Sequence, residues 1–195
     1  MASSSRTPSL ASMAAPLQDL LTNFAGFNLR SVQEVEWEDM TAERFHEEFA
    51  APRQPVLVKG ALSQVLQSPD AWSKQSLLHN HAARCFQCVC QEPGTSRHRL
   101  VSMQLGNYLE YAGNNSDLEP LYLFDGALPG DLQNAVNPPA FLGSDASTEL
   151  VGRTKFFEER RWLAVGGAGS GARMHVDPIE TSAWNLVVEG QKHWV

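Results

Sequence analysis

Positive charge is in short supply in this 195-residue chain: 15 Lys and Arg stand against 22 Asp and Glu, giving a net charge of −7 and a pI near 5.3. Nucleic-acid affinity comes from clustered Lys and Arg that release counterions from phosphates, so the deficit predicts no direct nucleic-acid binding. No stretch approaches the ~18 apolar residues that a membrane-spanning helix needs, which predicts no membrane span. Cysteine is scarce as well, and its three copies fall within six residues as Cys85-Phe-Gln-Cys88-Val-Cys90. Thiols spaced along one strand do not reach bridging geometry, so the cluster reads as ordinary buried strand cysteines in a reducing compartment. His79, His81 and His98 flank it without the spacing of a zinc site.

The first 30 residues have no acidic side chain before Asp19 and are rich in Ser and Ala, but Arg6 alone supplies positive charge in their first half. Transit peptides are Arg-rich and amphipathic, and secretory signals carry a continuous apolar core behind a basic start. Residues 1–30 therefore read as a flexible tail or a targeting segment. Nucleus or cytoplasm is the expected location, with an organelle, reached through a transit segment, as the alternative.

What is present is enough for one core: 43% hydrophobic residues and five Trp. From residue 31 the pattern predicts a short strand, a helix capped by Thr41 with Phe45 and Phe49 on one face, and an apolar strand after Pro55. The seven acidic residues between Glu34 and Glu48 form the solvated side. A second helix is expected to begin near Ser68, followed by the strand RCFQCVCQE, the strand and helix of RLVSMQLGNYLEYAG, and the strand within EPLYLFDGAL. The stretch 129–152 is loop-rich, broken by Pro129, Pro138 and Pro139. Three further strands are expected over 160–195. Helices first and antiparallel strands later predict an α+β domain whose sheet closes into a sandwich or barrel.

The chemistry gathers in GARMHVDPIETSAWNLVVEGQKHWV, residues 171–195. Residues two apart on a strand share a face, so His175 and Asp177 present an imidazole and a carboxylate side by side, two-thirds of a facial iron-binding triad. By chance alone, six His and eight Asp in a chain of this length yield roughly 0.25 such pairs. The following residues add weight. Glu189-Gly190 has the form of a type I′ hairpin turn, and with those two residues as the loop, Asn185, Val187, Lys192 and Trp194 share one face. Trp184, Leu186, Val188 and His193 take the other. An amide and an ammonium facing inward suit a dianionic ligand; the alternative is an edge hairpin with Lys192 in solvent.

The run RRWLAVGGAGSGARMHVDPIETSAWNLVVEGQKHW closely resembles the core of JmjC-domain (cupin-like) Fe(II)/2-oxoglutarate oxygenases, nearest to the bifunctional arginine demethylase and lysyl hydroxylase group. The shared features are a Gly-Ser-Gly turn, His-x-Asp-Pro, Thr-Ser-Ala-Trp-Asn and Gly-x-Lys-x-Trp, in that order. The resemblance extends loosely back to about residue 32, through PVLVKGAL and PLYLFD. It implies N-terminal helices packed on a double-stranded β-helix (jelly-roll) over 31–195. His175 and Asp177 match the first two iron ligands, Lys192 the residue that binds the distal carboxylate of 2-oxoglutarate, and Asn185 and Tyr122 further cosubstrate contacts. The reaction implied is oxidative decarboxylation of 2-oxoglutarate coupled to protein hydroxylation or N-methyl demethylation, on a Lys or Arg side chain of a protein substrate.

There are departures. Ala172 stands where relatives often carry a hydroxyl residue, and Arg173 and Glu180 put charge near the pocket mouth, to tune substrate choice or pair at the surface. The family's third ligand is a histidine on a later strand. His193, the only histidine after Asp177, faces away from Asn185 and Lys192 in the expected register. The chain thus reads as a truncated oxygenase whose barrel is incomplete at the C-terminus. The alternatives are a catalytically inactive JmjC-like binding module and a cupin-type β domain with an accidental His-x-Asp.

Overall fold

The computed structural model of the chain describes residues 32–92, 95, 97–143, 161–177 and 181–194. The expected tail or targeting segment and Glu180 lie outside the described residues.

The chain begins with a parallel pair, β1 (Gln33–Glu36) and β2 (Val56–Lys59), in the register Gln33↔Val56 to Glu36↔Lys59. Between them Thr41 caps the helical turn α1 (Ala42–Arg44) by accepting the Arg44 N–H at 3.1 Å. The turn widens into a π-helix, Phe45–Ala50, in which the Ala51 N–H donates to the His46 carbonyl at 2.9 Å. This connection buries Phe49 with Val35 and Met40, and Phe45, Val56, Val58 and Phe141 pack around them. All seven acidic residues from Glu34 to Glu48 are exposed, as expected, and Glu34 and Glu36 pair with Lys59 at 3.2 and 2.8 Å.

A turn of helix, α2 (Leu62–Val65), leads on. Pro69 then starts a 3-10 turn, Pro69–Trp72, and the α-helix proper, α3 (Lys74–His81), begins at the Ser73 cap, which accepts the Ser76 N–H at 3.2 Å. The helix therefore starts five residues later than the expected Ser68, because Ser73 caps with its side chain and Ser68 does not.

The main sheet holds β3 (Cys85–Gln91), β4 (His98–Gln104), β5 (Tyr122–Asp125) and β6 (Leu163–Gly166) in the order β4-β3-β5-β6, antiparallel throughout. Alternation puts Phe86, Cys88, Leu123 and Leu163 on one face. Against that face lies α4 (Leu105–Asn114), whose Leu105, Tyr108 and Leu109 form an i, i+3, i+4 stripe. Leu77 of α3 and Leu132 of α5 (Gly130–Asn134) complete this core, so the stretch expected to be loop-rich contributes this short helix and a 3-10 turn, Ala140–Leu142. Of the three cysteines Cys88 is fully buried and Cys85 exposed, and all three thiols are free.

Tyr108 organises the centre of this layer. Its buried hydroxyl accepts the Leu123 N–H at 3.2 Å and faces the carbonyls of Val165 and Leu121 at 2.6 and 3.1 Å. Burial pushes its pKa up to about 12. Asp125, also buried, accepts the N–H groups of Gln87 and Ala127, each at 2.7 Å.

The opposite sheet face carries Tyr122, Phe124 and the adjoining Trp162 in a row, with ring centroids 6.0 Å apart at each step. Phe124 and Trp162 also line a groove of about 340 Å³ with Gln87, Val89, His98, Leu100, Asp125 and Gly126. The architecture is α+β with an antiparallel sheet, as read from the sequence, and among the described residues no barrel closes. Of the three strands expected over 160–195, Leu163–Gly166 is the only one that forms among the described residues; 171–177 and 181–194 run without ladder pairing. Nor does Glu189-Gly190 form a type I′ turn, which needs positive φ at both residues: Gly190 has φ +85°, whereas Arg53 is the only described non-glycine with positive φ. A carboxylate side chain gains nothing there to offset the steric cost of the left-handed region.

Candidate metal and cosubstrate site

The site is reached through a glycine turn held against the core. After β6, an added Cβ on Gly166 would fall 2.1 Å from Ser170 Oγ and 3.3 Å from the Tyr122 ring, and one on Gly167 2.7 Å from the carbonyl oxygen of Ala112 in α4. Only glycine permits this approach of backbone to helix. Ser170 closes the turn, its hydroxyl donating to the Gly167 carbonyl at 2.8 Å.

Beyond the turn the chain is pinned by a charge. Arg173 Nη2 meets both carboxylate oxygens of Glu119 at 2.8 and 2.7 Å, and Nη1 donates to the Thr95 carbonyl. Two residues on, His175 Nδ1 lies 2.6 Å from the Arg173 carbonyl oxygen and Nε2 lies 3.2 Å from Asp177 Oδ1. A carbonyl oxygen only accepts, so Nδ1 carries the proton. Nε2 lies within contact distance of the carboxylate oxygen, so an imidazole nitrogen and a carboxylate oxygen are brought to one point. The ring is held from behind by a backbone carbonyl, a contact also common behind metal-binding histidines. Both side chains are solvent-accessible, at 57% for His175 and 40% for Asp177. One imidazole nitrogen and one carboxylate fit two positions of a facial iron site. Among the described residues no group of three or more His, Cys, Asp or Glu is arranged to hold a metal.

The second pair also meets. Lys192 Nζ donates to Asn185 Oδ1 at 3.0 Å and sits 4.3 Å from the centroid of the Trp194 ring. Burial lowers the Lys192 pKa from its ordinary value. At the far end of this segment, Glu189 accepts the Lys74 N–H at the start of α3, at 3.4 Å. Tyr122 stands on the sheet's open face, stacked with Phe124 and beside Gly166; burial raises its pKa.

The structure thus joins His175 to Asp177 and Asn185 to Lys192. Sequence reasoning missed Glu119, whose pairing with Arg173 spans 54 residues and leaves no local signal, and it missed the hydrogen-bonding roles of Tyr108 and Asp125. The Asp125-Gly126 dipeptide, a turn signal, was the one available hint of the latter.

No protein-family model matches the chain. Comparison with curated proteins nevertheless makes it a relative of JmjC-type demethylases and hydroxylases. A bifunctional arginine demethylase and lysyl-hydroxylase of Caenorhabditis elegans is 32% identical over 170 residues, covering 85% of this chain and 41% of that protein. The protein of the same description from Caenorhabditis briggsae is 29% identical over 170 residues, with the same coverage. An arginine-specific demethylase of Arabidopsis thaliana is 31% identical over 159 residues, covering 80% of this chain and 29% of that protein. The chain spans about two fifths or less of the length of the curated relatives it matches.

Proposed function

We propose that this chain carries two iron ligands and part of the cosubstrate site of an Fe(II)- and 2-oxoglutarate-dependent oxygenase that hydroxylates or N-demethylates a Lys or Arg side chain of a protein. The observation that carries the reading is the convergence of His175 Nε2 and Asp177 Oδ1 at 3.2 Å with the opposite ring nitrogen tied to a carbonyl. The names of the relatives, which include arginine demethylase and lysyl-hydroxylase, supply the substrate class. On this reading the four-stranded sheet is part of a double-stranded β-helix.

Iron held there supplies dioxygen activation coupled to the oxidative decarboxylation of 2-oxoglutarate. The chain's own residues do the rest. The Arg173 carbonyl keeps the proton on His175 Nδ1, leaving Nε2 free to ligate, and Asp177 offsets the cation's charge. Lys192 pairs with the distal carboxylate of the cosubstrate, with Asn185 and the Trp194 face holding the ammonium in place. Tyr122 offers its hydroxyl to the same ligand.

The test is succinate release from 2-oxoglutarate in the presence of Fe(II), which His175→Ala should abolish. A second reading, a catalytically inactive JmjC-like binding module, draws on the absence of a third metal-ligating side chain beside His175 and Asp177 among the described residues. Iron and 2-oxoglutarate bound without succinate release would favour it.

A further inference from the structure

We propose that Arg173 and Glu119 are positioning residues: their ion pair sets the orientation of His175 for metal binding. The inference rests on the iron-site reading above and concerns what holds the ligand still.

The segment 171–177 has no ladder pairing and little burial to fix it. Met174 is 90% exposed and Val176 77% exposed, so neither neighbour of His175 anchors it by packing. One side chain does. Arg173 grips both oxygens of Glu119, in the loop between α4 and β5, and the Thr95 carbonyl, in the loop between β3 and β4. The carbonyl of the same residue receives His175 Nδ1 at 2.6 Å. Side chain and main chain of Arg173 therefore form one rigid link from two loops of the sheet to the imidazole.

The pair has a second effect. A guanidinium two residues from a ligand repels a divalent cation, and the Glu119 carboxylate cancels that charge. Lysine replaces arginine only in part here, because an ammonium lacks the planar guanidinium that reaches the Glu119 carboxylate and the Thr95 carbonyl together.

The experiment uses the full chain. Fe(II) binding is titrated anaerobically by calorimetry, and the imidazole nitrogens of His175 are recorded by ¹⁵N NMR in the metal-free protein. Arg173→Gln and Glu119→Gln should each weaken Fe(II) binding on the order of tenfold, the scale for groups that orient a ligand. Each should also turn the single Nδ1–H tautomer into a mixture. Arg173→Lys should fall between wild type and Arg173→Gln, and the charge-swapped double variant Arg173→Glu with Glu119→Arg should recover most of the affinity. Wild-type affinity and an unchanged tautomer in the single variants would overturn the inference while leaving the iron site standing. Fe(II) binding unaffected by His175→Ala would instead overturn the iron-site reading, and the ¹⁵N spectra would still report on the Arg173 link.

Discussion

The Lys192 ammonium donates to the Asn185 side-chain oxygen at 3.0 Å, joining residues seven apart on a stretch that has no strand pairing. An ammonium held by a neutral amide and an aromatic face keeps its full charge available to an anion. On the proposed function that anion is 2-oxoglutarate.

Lys192→Ala should therefore weaken 2-oxoglutarate binding at least tenfold, with Fe(II) binding unchanged; isothermal titration of each ligand reads the split. The pH dependence follows from the depressed Lys192 pKa. The ammonium is present below that pKa and lost above it, so affinity should fall with rising pH sooner than an ordinary lysine would dictate. A cosubstrate affinity flat up to the ordinary lysine range would refute the assignment.

Tyr108 should make the fold sensitive to alkali. Its folded pKa is raised to about 12, so the unfolded chain releases the phenolic proton first, near 10. The contribution of this group is then constant below about pH 10 and declines toward pH 12, by about 2 to 3 kcal/mol. Cys88, pushed up to about 11 by burial and by Asp125, adds a loss of the same sign that begins near pH 9. Urea midpoints across this range check the slope, and Tyr108→Phe should flatten it above pH 10.

Asp125→Ala should cost about 1 to 3 kcal/mol, because two part-buried N–H groups, those of Gln87 and Ala127, lose their acceptor together. Asp125→Asn retains one acceptor oxygen and should cost less. Equal losses in chemical denaturation would mean that the carboxylate's charge, and not its two hydrogen bonds, matters here.

Gly167→Ala should destabilise more than Gly166→Ala. The new methyl at 167 meets the helix backbone, which cannot retreat, whereas that at 166 meets the Ser170 hydroxyl, which can rotate away. The expected difference is about 1 to 3 kcal/mol, readable as a gap in melting temperature.

The legible parts of this molecule were those written in local pattern. Phe45 and Phe49 at i, i+4, the alternation through Phe86 and Cys88, and the Thr41 cap each specify their element with little help from afar. His175 and Asp177 do meet, but on a segment without the strand from which their shared face was read. The meeting of Asn185 and Lys192 was foreseen from a hairpin whose turn geometry differs; the two side chains touch without the strand pairing assumed for them. What stayed hidden was long-range and polar. Arg173 with Glu119, Tyr108 with Val165, and Asp125 with Gln87 lie 54, 57 and 38 residues apart, and no periodicity announces such partners.

The apolar interior is split in two, and the split has a consequence for how the protein comes apart. Val35, Met40 and Phe49 make one cluster, the residues around Tyr108 the other. Outside both clusters, Leu66 and Val136 form an isolated bridge, with Gln67 N–H donating to the Ala135 carbonyl at 3.0 Å and Asn137 N–H to the Val65 carbonyl at 2.7 Å. Two clusters that share no residue are expected to open as separate cooperative units. In native-state hydrogen exchange, Phe49→Ala should release the amides of β1 and β2 while those of β3 and β5 stay protected, so the segment bearing His175 can keep its footing after the N-terminal unit has opened.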